Sequence, residues 1–341
     1  MSKHRLFPIW NRTPTTSYPR MDQMDATANA HGLIKIHEGK DPQVDIVFLH
    51  GLRGHPKDTW TKEGVLWPKE LLATDIPASR IFLFGYDTRV VSISNPAVAN
   101  TDSHSDAEDV CAKLAAERND IKGDRPIIFI AHSLGGLVAA QILLHGEQRE
   151  LSSIAKSITK NLRGLIFLGT PFRGSKHAKL PEIVRKVVDF WGKPTQQRTL
   201  KLLNPDSEKL DELTRAFPEV LNRRRTSNDP TDKIRAYFFF ETLSTSAFGI
   251  SIKVVEPESA QIPGCGDCVP IRADHISICK FKTKEDEGYA VVINAIKDTL
   301  RNAAVKKSES TKSINFYDQS RAGQVIQDLN NSGGTINNTF N

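Results

Sequence analysis

Ser133 stands in Ala131-His132-Ser133-Leu134-Gly135-Gly136, with a small residue two positions away on each side. The surrounding segment, "FIAHSLGGLVAAQILLH" from Phe129 to His145, starts as a β-like apolar run, breaks at the small residues and resumes with a helical pattern. A strand that turns at once into a helix crowds its own backbone, so the neighbours must be small and the corner side chain is thrust outward. The spacing is that of a G-x-S-x-G elbow with alanine in the first glycine position. The alternative is a strand-to-helix turn without chemistry, and the apolar runs on both sides favour the elbow. The chemistry would be nucleophilic. A serine hydroxyl is a weak nucleophile near neutral pH, so it needs a base beside it and an acid that orients the base.

With the nucleophile at a strand-to-helix elbow, the chain order is serine, acid, histidine. Three of the ten histidines follow Ser133: His145, His177 and His275. His145 falls within the helix pattern, and His177 lies beside a helical stretch. His275, in "PIRADHISICKF", follows the last strand candidate and precedes the final helix, which makes it the expected base. For the acid, Glu241 ends "AYFFFETL" on the edge where the site should form, and Asp274 and Asp267 are its rivals. Asp274 adjoins His275 in the chain, where neighbouring side chains diverge. Glu256 ends the next strand candidate. Two backbone donors should face the developing oxyanion: the Leu134 amide and, from the loop "FLHGLRGHP", the Leu52 amide, with Arg53 as runner-up. His50 would support that loop. Thr170 and Pro171 in "GTPFRGSK" shape either the pocket floor or a plain turn. Cys265-Gly-Asp-Cys268 lacks the two further ligands a zinc site requires, so no metal and no cofactor is expected.

Elements able to position these residues alternate along the chain. Strand candidates are "VDIVFLH" from Val44, "RIFLFGY" from Arg80, "RPIIFIAH" from Arg125, "RGLIFLGT" from Arg163, "IRAYFFFET" from Ile234 and "SIKVVE" from Ser251. Most are continuously apolar, as parallel strands covered on both faces must be. Helix candidates are "WPKELLATD", "SDAEDVCAKLAAERND", "GGLVAAQILLHGE" and "DEGYAVVINAIKDTLRNAA". The alternation predicts a doubly wound, mostly parallel α/β sheet, with ligands beyond the carboxyl ends of its strands. Residues 176–228 carry helical patterns and no strand. Ile183, Val184, Val187, Val188 and Trp191 share a stripe there, which reads as core packing or as an apolar lid over a lipid-like substrate. The expected organisation is a mobile leader over 1–32, one domain over 33–302 with the insertion at 176–228, and a polar linker and Asn-rich tail over 303–341.

Composition narrows the function classes. The chain has 341 residues, 39% hydrophobic and 25% charged, with net charge +6. Its basic residues are scattered, and the runs Arg223-Arg224-Arg225 and Lys306-Lys307 come without any nucleic-acid-binding motif, so no nucleic-acid partner is expected. No stretch approaches the about 18 apolar residues that span a bilayer. The first residues lack the apolar core of a secretory signal, and four cysteines without such a signal point to reduced thiols and a cytoplasmic location. The tail "INFYDQSRAGQVIQDLNNSGGTINNTFN" cannot build a core; disorder is the default, and stacked Asn ladders with spaced Ile and Val also suit a cross-β fibril.

Taken together, "VDIVFLHGLRGHPKDTW", "RIFLFGYDT", "PIIFIAHSLGGLVAAQ", "IFLGTPFRGS", "FFFETL" and "ADHISICKF" resemble the lipase-like α/β-hydrolase domains of the serine-active-site-containing protein and GPI inositol-deacylase type. The resemblance spans about residues 33–300, with Ala131 in place of glycine as its departure. It extends to fungal versions that serve as effectors of NLR (NACHT-type) receptors. It implies an α/β-hydrolase fold with a lid-like insertion and a serine esterase acting on a lipid or acyl ester. Ser133 and His275 match the nucleophile and base, and Glu241 is the candidate acid. It also implies peripheral membrane contact, at the mitochondrion or endoplasmic reticulum. "NNSGGTINNTFN" is similar to fungal amyloid signalling motifs, which implies recruitment by an NLR-type receptor or self-association through residues 312–341.

Overall fold

The computed structural model describes residues 31–51, 54–86, 106–119, 124–147, 153–172, 208–247 and 250–303. Runs apolar at nearly every position cannot turn either face to water, and they form the middle of a seven-stranded sheet. Its strands are β1 (Gly32–Glu38), β2 (Val44–Leu49), β3 (Ser79–Gly85), β4 (Ile127–His132), β5 (Leu162–Leu168), β6 (Arg235–Glu241) and β7 (Asp267–Ile271). Their order is β1-β3-β2-β4-β5-β6-β7. Only β1 runs antiparallel to its neighbour. Register aligns Leu49 with Ala131, His132 with Leu168, and Glu241 with Ile271, so the carboxyl ends of β2, β4, β5, β6 and β7 share one edge.

Alternate residues of each strand feed opposite faces. Val47 and Leu49 of β2 join one core cluster, whereas Val44, Ile46 and Phe48 join the other. The first cluster is closed by helices α1 (Asp106–Glu117), α2 (Gly135–Glu147), α3 (Ser153–Lys160) and α4 (Glu208–Thr226). The second is closed by α5, residues 287–303, and by Trp60, Trp67 and Leu72. The fold is therefore an α/β-hydrolase fold with helices on both faces of a mostly parallel sheet.

Two expectations need correction. "SIKVVE" does not join the sheet: only Ile250–Ile252 is a strand, paired antiparallel with Thr245–Ala247 in a separate two-stranded ladder. Glu256 thus ends no strand. The sheet's last strand is instead β7, "DCVPI", which begins at Asp267. An edge strand tolerates proline and one wet face, so Pro270 and the exposed Asp267 and Cys268 hide β7 from a search for apolar runs. In the predicted insertion, α4 takes the core-packing role. It buries Leu213, Phe217 and Leu221 against the sheet, with Phe217 stacked on Phe172 at 5.3 Å between ring centroids. Residues 183–191, the leader up to residue 30 and the tail from residue 304 lie outside the described residues. No described helix is long and apolar enough to cross a membrane.

Candidate active site

Ser133 occupies the corner between β4 and α2 with φ of +52°. That left-handed backbone costs a non-glycine residue roughly 1–2 kcal/mol. The corner is held from both sides: the Ser133 amide donates to Leu168 O of β5 at 3.0 Å, and its carbonyl accepts from the Gly136 amide at 3.0 Å. A side chain on Gly135 would place its Cβ 2.4 Å from the His50 carbonyl, so the small-residue requirement is steric.

Ser133 Oγ lies 3.0 Å from His275 Nε2, and His275 Nδ1 lies 3.1 Å from Glu241 Oε1. All three residues are buried. With Nδ1 donating to the carboxylate, Nε2 is left to accept the serine proton. Glu241 Oε1 also accepts from the Val255 amide at 2.9 Å, while Oε2 has no partner among the described residues. Burial works to raise the Glu241 carboxyl, but the facing His275 imidazole and the Val255 amide outweigh it and hold the group below its ordinary value. Gly169, at φ +60°, passes so close that a Cβ there would meet Glu241 Oε2 and His275 Nδ1, each at 3.1 Å.

The rival acids are elsewhere. Asp274 turns its Oδ1 to the amide and hydroxyl of Ser277, at 2.8 and 2.6 Å, and so caps its own loop. Asp267 is aligned with Tyr237, at the far end of β7 from Ile271. His145 shares a hydrogen bond with Gln141 on α2. His177 lies outside the described residues.

Of the two expected oxyanion donors, the Leu134 amide follows the corner and has no acceptor among the described residues, as befits the first turn of a helix. Leu52 and its runner-up Arg53 lie outside the described residues. Their neighbour Gly51 is described, and a Cβ on it would sit 2.8 Å from Ser133 Cβ, so the loop after β2 runs directly against the serine. His50 braces that loop: its Nδ1 donates to Gly51 O at 3.0 Å, its ring stacks on Tyr86 at 4.5 Å, and Tyr86 donates its hydroxyl to the His50 carbonyl. Burial pushes the His50 imidazole down to about 4, so it is neutral at neutral pH.

Thr170 packs against Gly136 of α2, and Phe172 joins Phe167, Phe217 and Phe238 in the core. Cys265 is buried and Cys268 is exposed. Among the described residues no group of three or more His, Cys, Asp or Glu could hold a metal ion.

Sequence reasoning passed over His132, Thr245 and Val255. His132 Nε2 donates to the His275 carbonyl at 2.9 Å, Thr245 Oγ1 accepts from the His275 amide at 3.1 Å, and Val255 donates to Glu241. No local pattern marks them, because each acts on a residue distant in the chain.

Comparison with known proteins places the chain in a family. The chain is similar to Protein SERAC1 of Bos taurus, 31% identical over 277 residues, and to that of Homo sapiens, 29% identical over 277 residues. Each match covers 76% of this chain and 39% of the relative, so the chain spans about two fifths of the length of these curated relatives. Among solved structures it is similar to the mature lipase BlEst2 of Bacillus licheniformis, with 17% identity, 77% of this chain and 96% of that chain covered, and a TM-score of 0.49. The family described as "Alpha/beta hydrolase family" matches residues 46–248, from β2 past the end of β6. The chain belongs to the alpha/beta hydrolase family.

Proposed function

We propose that the protein hydrolyses carboxylic esters, with Ser133 as nucleophile, His275 as base and Glu241 as the acid that orients it. The observation that carries this reading is the continuous hydrogen-bonded chain from Ser133 Oγ through both nitrogens of His275 to Glu241, buried at the carboxyl edge of the sheet. Ser133 Oγ attacks the ester carbonyl as His275 Nε2 takes its proton. The oxyanion is held by the amides of Leu134 and Leu52. Collapse expels the alcohol, which leaves with the proton from His275, and an acyl-serine forms. Water, activated by the same imidazole, then releases the acid and restores the hydroxyl. Glu241 keeps the Nδ1–H tautomer and steadies the imidazolium in both halves. No step calls for a cofactor.

The substrate in this reading is a lipid or acyl ester, supported by the apolar stripe of residues 183–191 in the insertion. The protein would work in the cytoplasm in peripheral contact with a membrane, such as that of the mitochondrion or endoplasmic reticulum. The test is a panel of p-nitrophenyl esters from acetyl to palmitoyl. The reading expects turnover that rises with chain length and vanishes in Ser133→Ala. Turnover that survives this substitution would overturn it.

A second reading rests on the tail's composition. Here the domain is a fungal immune or cell-death effector, recruited by an NLR-type receptor or by its own copies through an amyloid-like motif in residues 312–341, with catalysis secondary. A synthetic peptide of that segment should form fibres and seed the full chain. A peptide that stays monomeric would remove this reading.

A further inference from the structure

His132, the residue just before the nucleophile, makes a bond that its place in the elbow does not require. Its side chain is buried at the end of β4, and Nε2 donates to the main-chain carbonyl of His275 at 2.9 Å. This bond joins residues 143 positions apart, and it ties the strand that carries the nucleophile to the loop that carries the base. On its other side, the His275 amide donates to Thr245 Oγ1 at 3.1 Å. The two peptide units that flank the His275 Cα are therefore pinned separately, one to β4 and one to the residue that opens the small ladder.

We propose that His132 is a positioning residue that fixes the base against the nucleophile through the His275 carbonyl. The inference rests on the reading of Ser133 and His275 as nucleophile and base. Because His132 and Ser133 are neighbours on one strand end, any drift of the His275 loop away from His132 lengthens the 3.0 Å Ser133–His275 contact. Burial, and then the adjacent His275, push the His132 imidazole well below its ordinary value, so it stays uncharged. The two rings are 5.1 Å apart. A neutral neighbour at that distance can hold the loop without opposing the imidazolium that forms on His275 during turnover, whereas a lysine or arginine donor would oppose it.

The test compares wild type, His132→Gln, His132→Asn and His132→Leu in three measurements: kcat and KM on p-nitrophenyl acetate, the rate of labelling by a fluorophosphonate, and the melting temperature. Glutamine's terminal amide can reach the same carbonyl, asparagine's falls short, and leucine has no donor. The expected result is a fall in kcat and labelling rate of about 10- to 100-fold for Leu and Asn, with KM unchanged and most of the rate regained by Gln. The order of rates should not follow the order of melting temperatures. If Leu does not fold, Gln against Asn decides. Asn as fast as wild type, or Gln as slow as Asn, overturns the role given to His132. A folded wild type that never labels at Ser133 overturns the underlying reading together with this one. Ser133-dependent labelling at equal rates in all variants overturns this one alone.

Discussion

Asp45 and Glu241 are both carboxylates with no exposed surface, placed at opposite edges of the same sheet. Asp45, near the start of β2, has both oxygens saturated. Oδ1 takes Arg80 Nε at 2.7 Å and Arg125 at 3.3 Å, and Oδ2 takes Arg80 at 3.0 Å and Arg118 as well. Arg80 goes on to the Glu117 carbonyl at 3.0 Å and Arg118 to the Arg125 carbonyl at 2.8 Å, so the cluster fastens β2, β3, the end of α1 and the approach to β4. Glu241, at the end of β6, shares one oxygen between a backbone amide and an imidazole and leaves the other without a partner among the described residues. One edge uses a buried charge as a rivet. The other holds one next to the His275 imidazole, the base of the proposed reaction, and keeps only the contacts that orient it.

Substitutions that separate the two edges give the sharpest tests. Ser133→Ala should lower kcat by about 10⁶-fold while the melting curve stays near wild type. Glu241→Gln keeps the shape and removes the charge, so kcat should drop by about 10⁴-fold, with a loss in urea unfolding smaller than that at Asp45. Asp45→Asn should do the reverse. It strands three buried or half-buried guanidinium groups and should cost about 3–5 kcal/mol in urea unfolding, with kcat per folded molecule unchanged. Equal losses of activity and stability at both positions would erase the distinction.

Acid should also act on the carboxyl edge. Folded His50 accepts a proton only near pH 4, whereas unfolded it does so near 6.5. The unfolded chain therefore binds the extra proton between those values, and stability falls with pH by up to about 1.4 kcal/mol per unit. His50→Gln should flatten that slope in a series of urea melts. Glu241, held below its ordinary value, contributes stability that is fully present above pH 4.5 and lost as pH falls through its folded value. The smallest effect concerns the corner itself. Ser133→Gly relieves the left-handed strain and should raise stability by up to about 1 kcal/mol in thermal melts while abolishing turnover.

How much of this was legible in the sequence depended on where the information lay along the chain. Strands β2, β4 and β5 are covered on both faces and read as mostly apolar runs, interrupted by Asp45 in β2 and by Arg163 and Gly164 in β5. β1 and β7 are edge strands, one alternating and one carrying Pro270, and their pattern was hidden by contact with water. The elbow was legible because its steric demands fall within six residues. Serine, glutamate and histidine could be ordered along the chain, and the structure brings Ser133, Glu241 and His275 within hydrogen-bonding distance. The acid stayed open in sequence between Glu241, Asp274 and Asp267, because only the register of β7 beside β6 and the capping of Asp274 by Ser277 separate them. His132, Thr245 and Val255 carried no signal at all. Their partners are set by strand order, which no local window contains.

The most direct measurement is to treat the full chain with a fluorophosphonate, digest it and map the adduct by mass spectrometry. The account predicts a single adduct on Ser133, formed far more slowly in His275→Ala and Glu241→Gln. An adduct on another residue, or a folded protein that forms none, would contradict it.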